Sequence, residues 1–171
     1  MSPQKTQIQW IAGTFGFIFI SDQIAKAIVI RNIEPHQAYR GDVFFHFTHQ
    51  RNTGLIGGVF SDVPLVAYIA PLAGLAVLAY MYTQLNRESR SQAIAYGMLI
   101  GGALGNILDR IRLGSVTDYM QFHFYFIPFD FPWKYYPAFN IADAGIIIGV
   151  CLLFITLSLY PISEEHAPGD N

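Results

Sequence analysis

Residues 64–85 read PLVAYIAPLAGLAVLAYMYTQL, and none of them carries a charge. At about 1.5 Å of rise per residue, a run of about 20 apolar residues crosses the ~30 Å hydrocarbon core of a bilayer as one helix. Pro71 lies inside the run, and proline kinks a helix in lipid without forbidding it. This stretch decides the fold class: the chain reads as an α-helical membrane protein.

Three further segments have the same length, residues 8–30, 93–113 and 139–160, so four transmembrane helices are expected. The whole composition agrees, with 53% hydrophobic and only 13% charged residues in 171. No polar linker separates two folded units, so residues 1–171 read as a single membrane-embedded domain. A net charge of -2, with Lys and Arg scattered singly, offers no basic stripe for nucleic acid. The single Cys151 excludes an internal disulfide and reads as a small packing residue.

The first segment has a rival reading as a cleaved signal peptide, because Lys5 precedes it and Ala25-Lys26-Ala27 mimics a small-x-small cleavage site. Against that, Asp22 and Lys26 stand four apart, acid before base, which is the favourable order for an ion pair on one helix face. Arg87 and Arg90 in the short loop after residue 85, with Lys5, favour the cytoplasmic side for both termini, whereas Arg31, Arg40, Arg51 and Lys134 on the other side oppose it.

Between the first two spans, Val43, Phe45 and Phe47 alternate with Phe44, His46 and Thr48. After the third span, Phe122, Phe124 and Phe126 alternate with Gln121, His123 and Tyr125. Period two predicts strands, and with four spans both fall on one side of the membrane, where they can pair into a small sheet. The stretch FIPFDFPWKYY, residues 126–136, is crowded with aromatic rings that favour the headgroup zone, and reads as an interfacial loop. Residues 161–171 read as a polar, frayed tail.

Ionisable residues inside spans normally face the interior of a bundle or a wet cavity. In the third, Gly102, Asn106 and Arg110 recur every four residues and form one stripe, with glycine admitting a neighbouring helix. Arg110 either orients a carboxylate or carbonyl, or snorkels to the headgroups. Asp109 is expected to pair with Arg112, three residues on, or to cap local structure. At the start of the fourth span, Asn140 followed by Asp143 is a plausible helix N-cap pair. Asp118, shortly after the third span, stands at a similar membrane level. Two carboxylates in a partly dry site cannot both ionise cheaply and tend to share one proton, so that one activates water while the other donates to a scissile carbonyl. The chain has no HExxH, no GxSxG and no second cysteine, which leaves zinc, serine and dithiol chemistries without their parts. His46 and His49, three apart on a strand, point to opposite faces, so no metal site is expected.

The blocks SDQIAKAI (21–28), RNTG (51–54), GGALGNILDRIRLGSVTDY (101–119) and FNIADAGI (139–146) together resemble the lipoprotein signal peptidases, signal peptidase II, the aspartyl peptidases of bacterial membranes. The resemblance implies four membrane helices, a small extracytoplasmic β-sheet and a mobile interfacial segment. It implies a monomer in the cytoplasmic (inner) membrane with both termini inside and the site near the outer face. Asp118 and Asp143 match the catalytic dyad; Asn52, Gly54, Asn106, Arg110 and Asn140 match polar or loop positions around it; Asp22 and Lys26 match a structural polar pair. No cofactor is implied, and the implied substrate is a diacylated prolipoprotein, cleaved before its lipidated cysteine among membrane lipids. Two departures mark this chain: Leu55-Ile56-Gly57-Gly58 after RNTG, and a longer interval between Asp118 and Asn140. Read without the resemblance, the same aspartates also suit a proton-relaying transporter, or a scaffold in which Asn140 and Asp143 are caps and Asp118 is an exposed loop residue.

Overall fold

The computed structural model describes residues 2–39, 44–55, 60, 63–132 and 134–159. Val43, the Ile56-Gly57-Gly58 departure, Trp133 and the tail from residue 160 onward lie outside them.

Four helices follow in chain order: α1 (Pro3–Asn32), α2 (Pro64–Gln84), α3 (Arg90–Leu113) and α4 (Ile141–Leu159). Each matches an expected span to within a few residues, α1 being the longest because it begins at Pro3, a residue suited to the first helical turn. Three of them, over Pro3–Asn32, Leu65–Gln84 and Ile141–Ser158, are long and apolar enough to cross a membrane. The α3 helix is more polar, carrying Asn106, Asp109, Arg110 and Arg112. It is also the most enclosed, with Ala93, Ala95, Tyr96 and Leu99 all nearly inaccessible. By contrast Phe17, Leu72 and Phe154 project from α1, α2 and α4 with more than half their surface exposed, an outer face suited to acyl chains.

Local chemistry sets where α3 begins and ends. The Ser89 hydroxyl accepts from Gln92 N at 3.3 Å, and Gly114 closes the helix at φ 71°, a left-handed conformation that glycine takes without a Cβ penalty. Glycines on two sides let α3 sit close to both neighbours. Gly97, Gly101 and Gly105, spaced by four, face α1: a Cβ added at Gly97 would stand 2.6 Å from the Ile11 carbonyl oxygen, and one at Gly101 3.0 Å from that of Phe15. Gly102, one position round, faces α4, where an added Cβ would meet the Ala142 carbonyl and stand 2.7 Å from Ile146. The remaining contact is apolar: Leu85, Tyr96, Leu99 and Leu153 form the core that joins α2, α3 and α4, and the Tyr96 hydroxyl donates to Leu78 O at 2.6 Å.

The expected sheet is present as three antiparallel strands in the order β1 (Ala38–Tyr39), β2 (Phe45–Asn52) and β3 (Val116–Phe122). Its third strand differs from the alternation read at residues 121–126, for β3 starts at Val116, just after Gly114, and ends at Phe122. Asp118 is therefore a strand residue directly opposite Gln50. A bulge between Phe47 and Gln50 inserts one residue into β2. That breaks the alternation expected to separate His46 from His49, and both are buried.

The described part of the aromatic stretch forms turns and bends. It returns along the end of β3: Tyr136 N donates to Phe122 O at 2.9 Å, Phe124 N to Lys134 O at 2.8 Å, and the Tyr135 ring stacks on His123 at 4.0 Å. Phe126 and Phe129 remain mostly exposed. Cys151, expected to pack inside, is exposed on α4, because the inward face of that helix is taken by Gly145, Gly149 and Leu153.

Candidate active site

The end of the bundle under the sheet gathers polar side chains that the sequence scatters over five elements. Asp118 comes from β3, Asn52 from β2, Asn106 and Arg110 from α3, Asp22 and Lys26 from α1, and Asn140 and Asp143 from the start of α4. Each of these, apart from Asn52 and Asp143, is at least nine-tenths buried. Polar groups so enclosed are costly unless hydrogen-bonded, and here almost every one is.

Two asparagines hold Asp118. Asn52 Nδ2 donates to its Oδ2 at 2.9 Å and Asn140 Nδ2 to its Oδ1 at 2.7 Å. Asp143 has the cap role read from the sequence and more besides. Its N–H donates to Asn140 Oδ1 at 2.8 Å while Asn140 N donates back to its Oδ2 at 3.3 Å, the reciprocal arrangement of a capping box. Its other oxygen accepts from Asn106 Nδ2 at 2.8 Å. Asn140 thus touches both carboxylates. Burial, reinforced by the charge of Asp143, pushes the Asp118 carboxyl up to about 7, against the opposing pull of its hydrogen bonds from Asn52 and Asn140.

Behind this pair lies an ionic cluster. Lys26 Nζ is 2.8 Å from Asp22 Oδ2 and 3.1 Å from Asp109 Oδ2, and donates to Asn106 Oδ1 at 2.9 Å. The four-residue pairing of Asp22 with Lys26 is thus present. Asp109 does not pair with Arg112 as expected; it turns inward to Lys26 and also accepts from Thr117 N at 3.0 Å. Its signal in the sequence is the spacing Gly97, Gly101, Gly105, Asp109, which continues the glycine stripe facing α1. Gln23 also joins unforeseen, donating to Asp22 at 3.2 Å and Gly105 O at 3.3 Å. Asp22 Oδ1 accepts from Ala142 N at 3.0 Å, so α1 supplies a further side chain to the free N–H groups at the start of α4. An unpaired charge at such depth costs about 3–5 kcal/mol, so the lysine does not stand without a carboxylate beside it.

Arg110 points inward and does not snorkel. Its Nη2 donates to Gly54 O at 2.6 Å and Nη1 to Asn106 O at 3.4 Å, while its buried Nε has no partner among the described residues. Asn52 stabilises the same turn, accepting from Gly54 N at 2.9 Å and donating to Leu55 O at 2.9 Å. A cavity of about 630 Å³ opens beside these groups, lined at one end by Asn52, Asn106, Arg110 and Asp143, and running between α2, α3 and α4 to Met81 and Leu157. From Asp143 to Leu157 is about 20 Å of helix. A reacting group at the polar end could therefore be joined to a long apolar one.

His46 and His49 stand apart from this centre, the first 3.0 Å from Gln121 and the second 2.7 Å from Ile33 O. Among the described residues no three His, Cys, Asp or Glu side chains converge as metal ligands. The scaffold reading fails on Asp118, which is 2% exposed on a strand and not on a surface loop.

Apolar-faced helices around a buried centre of paired charges, asparagines and two carboxylates define a helical membrane protein with a polar internal site. The family model for signal peptidase (SPase) II matches residues 14–159. This chain belongs to the signal peptidase II family. Among its relatives, the lipoprotein signal peptidase of Shewanella amazonensis is 34% identical over 156 residues, covering 88% of each protein. That of Bacillus subtilis is 32% identical over 143 residues, 83% of this chain and 88% of the relative. A solved bacterial membrane enzyme superposes with a TM-score of 0.71 at 28% identity, over 98% of this chain and 95% of the other. A second, at 30% identity, gives 0.67 over 90% and 92%. The protein is accordingly a bacterial membrane protein of a peptidase family.

Proposed function

We propose that the protein is a cofactor-free aspartyl endopeptidase that removes the signal peptide from diacylglyceryl-modified prolipoproteins, cutting before the lipidated cysteine. The observation that carries this reading is the joint hold of Asn140 on Asp118 and Asp143, the latter lining the polar end of an apolar cavity. The names of the relatives supply the substrate class.

In this reading the carboxylates share one proton. Asp143, at the N-terminus of α4, has its charge favoured by the helix dipole, so the proton rests on Asp118. Asp143 then activates a water molecule and Asp118 donates to the carbonyl oxygen as the tetrahedral intermediate forms. Arg110 and the Asn52–Leu55 turn hold the substrate backbone, and the apolar cavity receives a lipid tail or the hydrophobic part of the signal peptide. Transfer of a tail from bilayer to cavity yields little free energy, because both are apolar; selectivity then comes from shape and from polar contacts beside the modified cysteine. The sheet and aromatic segment rest on the outer membrane–water interface, both termini are cytoplasmic, and the unit is a monomer.

The test is cleavage of a diacylated prolipoprotein by purified protein, beside Asp118→Asn and Asp143→Asn. Both variants are expected to lose turnover by at least about 10²-fold. Normal turnover by either folded variant ends the dyad reading. Ion flux without a cleaved product would favour a proton-relaying role instead.

A further inference from the structure

We propose that Lys26 is a positioning residue for the reaction, acting through Asn106, whose amide it locks in the one orientation that presents a donor to Asp143. The proposal rests on the reading of Asp118 and Asp143 as the reacting pair.

An asparagine side chain can rotate end for end with little change of shape, exchanging an acceptor for two donors. At this site such a flip would reverse the contact with a carboxylate. For two of the three asparagines, a backbone N–H prevents it. Gly54 N occupies Asn52 Oδ1 and thereby turns Nδ2 toward Asp118. Asp143 N occupies Asn140 Oδ1 and turns that Nδ2 toward Asp118 as well. Among the described residues, Asn106 has no backbone donor on its oxygen. Its Oδ1 accepts from Lys26 Nζ at 2.9 Å and from Asn140 Nδ2 at 3.1 Å, leaving Nδ2 for Asp143 Oδ1 at 2.8 Å.

Flipped, the Asn106 amino group would face the Lys26 ammonium and the Asn140 amino group, which have only hydrogens to offer. The ammonium enforces this more strongly than the neutral amide does, because it is a full charge, buried to 1% exposure. Lys26 is itself fixed on its remaining sides by Asp22 and Asp109. A lysine from α1 that touches neither of the proposed reacting carboxylates by hydrogen bond thus determines which face of an α3 amide one of them meets.

The test is a double-mutant cycle of Lys26→Met, Asn106→Leu and the double variant in the full-length protein, with folding checked by thermal unfolding. Cleavage of diacylated prolipoprotein is followed in single turnover with enzyme in excess, so that very slow variants remain readable. Lys26→Met is expected to slow the chemical step by about 10²-fold, with KM changed by less than about threefold, the size of effect a misplaced catalytic contact produces. In the Asn106→Leu background the same substitution should cost no more than about threefold, since the amide it locks is gone. Losses that multiply, or a Lys26→Met variant as fast as wild type, overturn the proposal. Should Lys26→Met fail to fold, Asp22→Asn/Lys26→Met replaces it in the cycle under the same criteria. Failure of the dyad reading has a separate sign, normal turnover by Asp118→Asn or Asp143→Asn, and is not confused with additivity in this cycle.

Discussion

Asn140 and Asp143 hold each other through two opposed hydrogen bonds, Asp143 N to Asn140 Oδ1 at 2.8 Å and Asn140 N to Asp143 Oδ2 at 3.3 Å. The cap occupies the amide oxygen and leaves the amino group for Asp118. One side chain thereby starts a helix and supports a carboxylate on another element.

Those two roles separate by substitution. Asn140→Ala removes the cap and the donor, whereas Asn140→Ser keeps a capping oxygen and loses the donor. The alanine variant should lose about 1 kcal/mol of stability from the cap alone, and the serine variant less than about 0.5. Turnover should fall by about tenfold or more in both, because neither donates to Asp118. Thermal unfolding and single-turnover cleavage on the same preparations check this, and a serine variant with full activity would refute it.

The elevated Asp118 carboxyl, about 7 against 3.8, has a signed consequence for stability. Between pH 4 and 7 the folded protein holds a proton that the unfolded chain releases, so this group's contribution falls as pH rises through that window and is level above it. Asp118→Asn carries no such titration. The variant should match wild type in stability near pH 4 and exceed it near pH 8 by up to about 4 kcal/mol. Unfolding midpoints of the two proteins across that range test the sign.

The glycine face toward α4 has no room for a methyl group. Gly102→Ala would press against the Ala142 carbonyl and Ile146, forcing α3 and α4 apart at the depth of Asn106. A loss of about 1–3 kcal/mol and a clear drop in cleavage are expected. Gly13→Ala on α1, where nothing lies within 4 Å of the added Cβ, should leave both unchanged.

Arg110 ties the turn after β2 to α3 through Gly54 O. Lysine retains the charge but not the planar fork that reaches Gly54 and Asn106 together. Arg110→Lys should raise KM about tenfold with a smaller change in kcat, if the turn carries substrate backbone. A change confined to kcat would place Arg110 in the chemical step instead.

The helices were legible because a bilayer demands one length and one polarity, and the sheet because β2 keeps period two as far as Thr48. The capping box was legible too, since it is local: Asn140 and Asp143 are three residues apart. Long-range pairing was harder. Asp109 has Arg112 within reach on its own helix, and only the glycine spacing hints that its face turns toward Lys26, more than eighty residues away. The start of β3 was missed for a related reason: Val116, Thr117 and Asp118 are all buried in a strand packed against β2, α3 and α1, and that burial leaves no alternation to read. The Phe-rich run beyond Phe122 does alternate, but its described part turns back along the sheet, with Ile127 N bonded to Phe124 O, and forms no strand of its own.

The pairing of Asp22 with Lys26 on a single helix also bears on how the chain enters a membrane. Each charge alone would oppose insertion of α1 by about 2.5–3.5 kcal/mol. Standing one turn apart and 2.8 Å from contact to contact, they neutralise each other within one segment, ahead of α3 in the chain. Asp109 and Asn106 complete the lysine's shell only when α3 follows. The first helix can thus wait in lipid for its partners, carrying its own counterion.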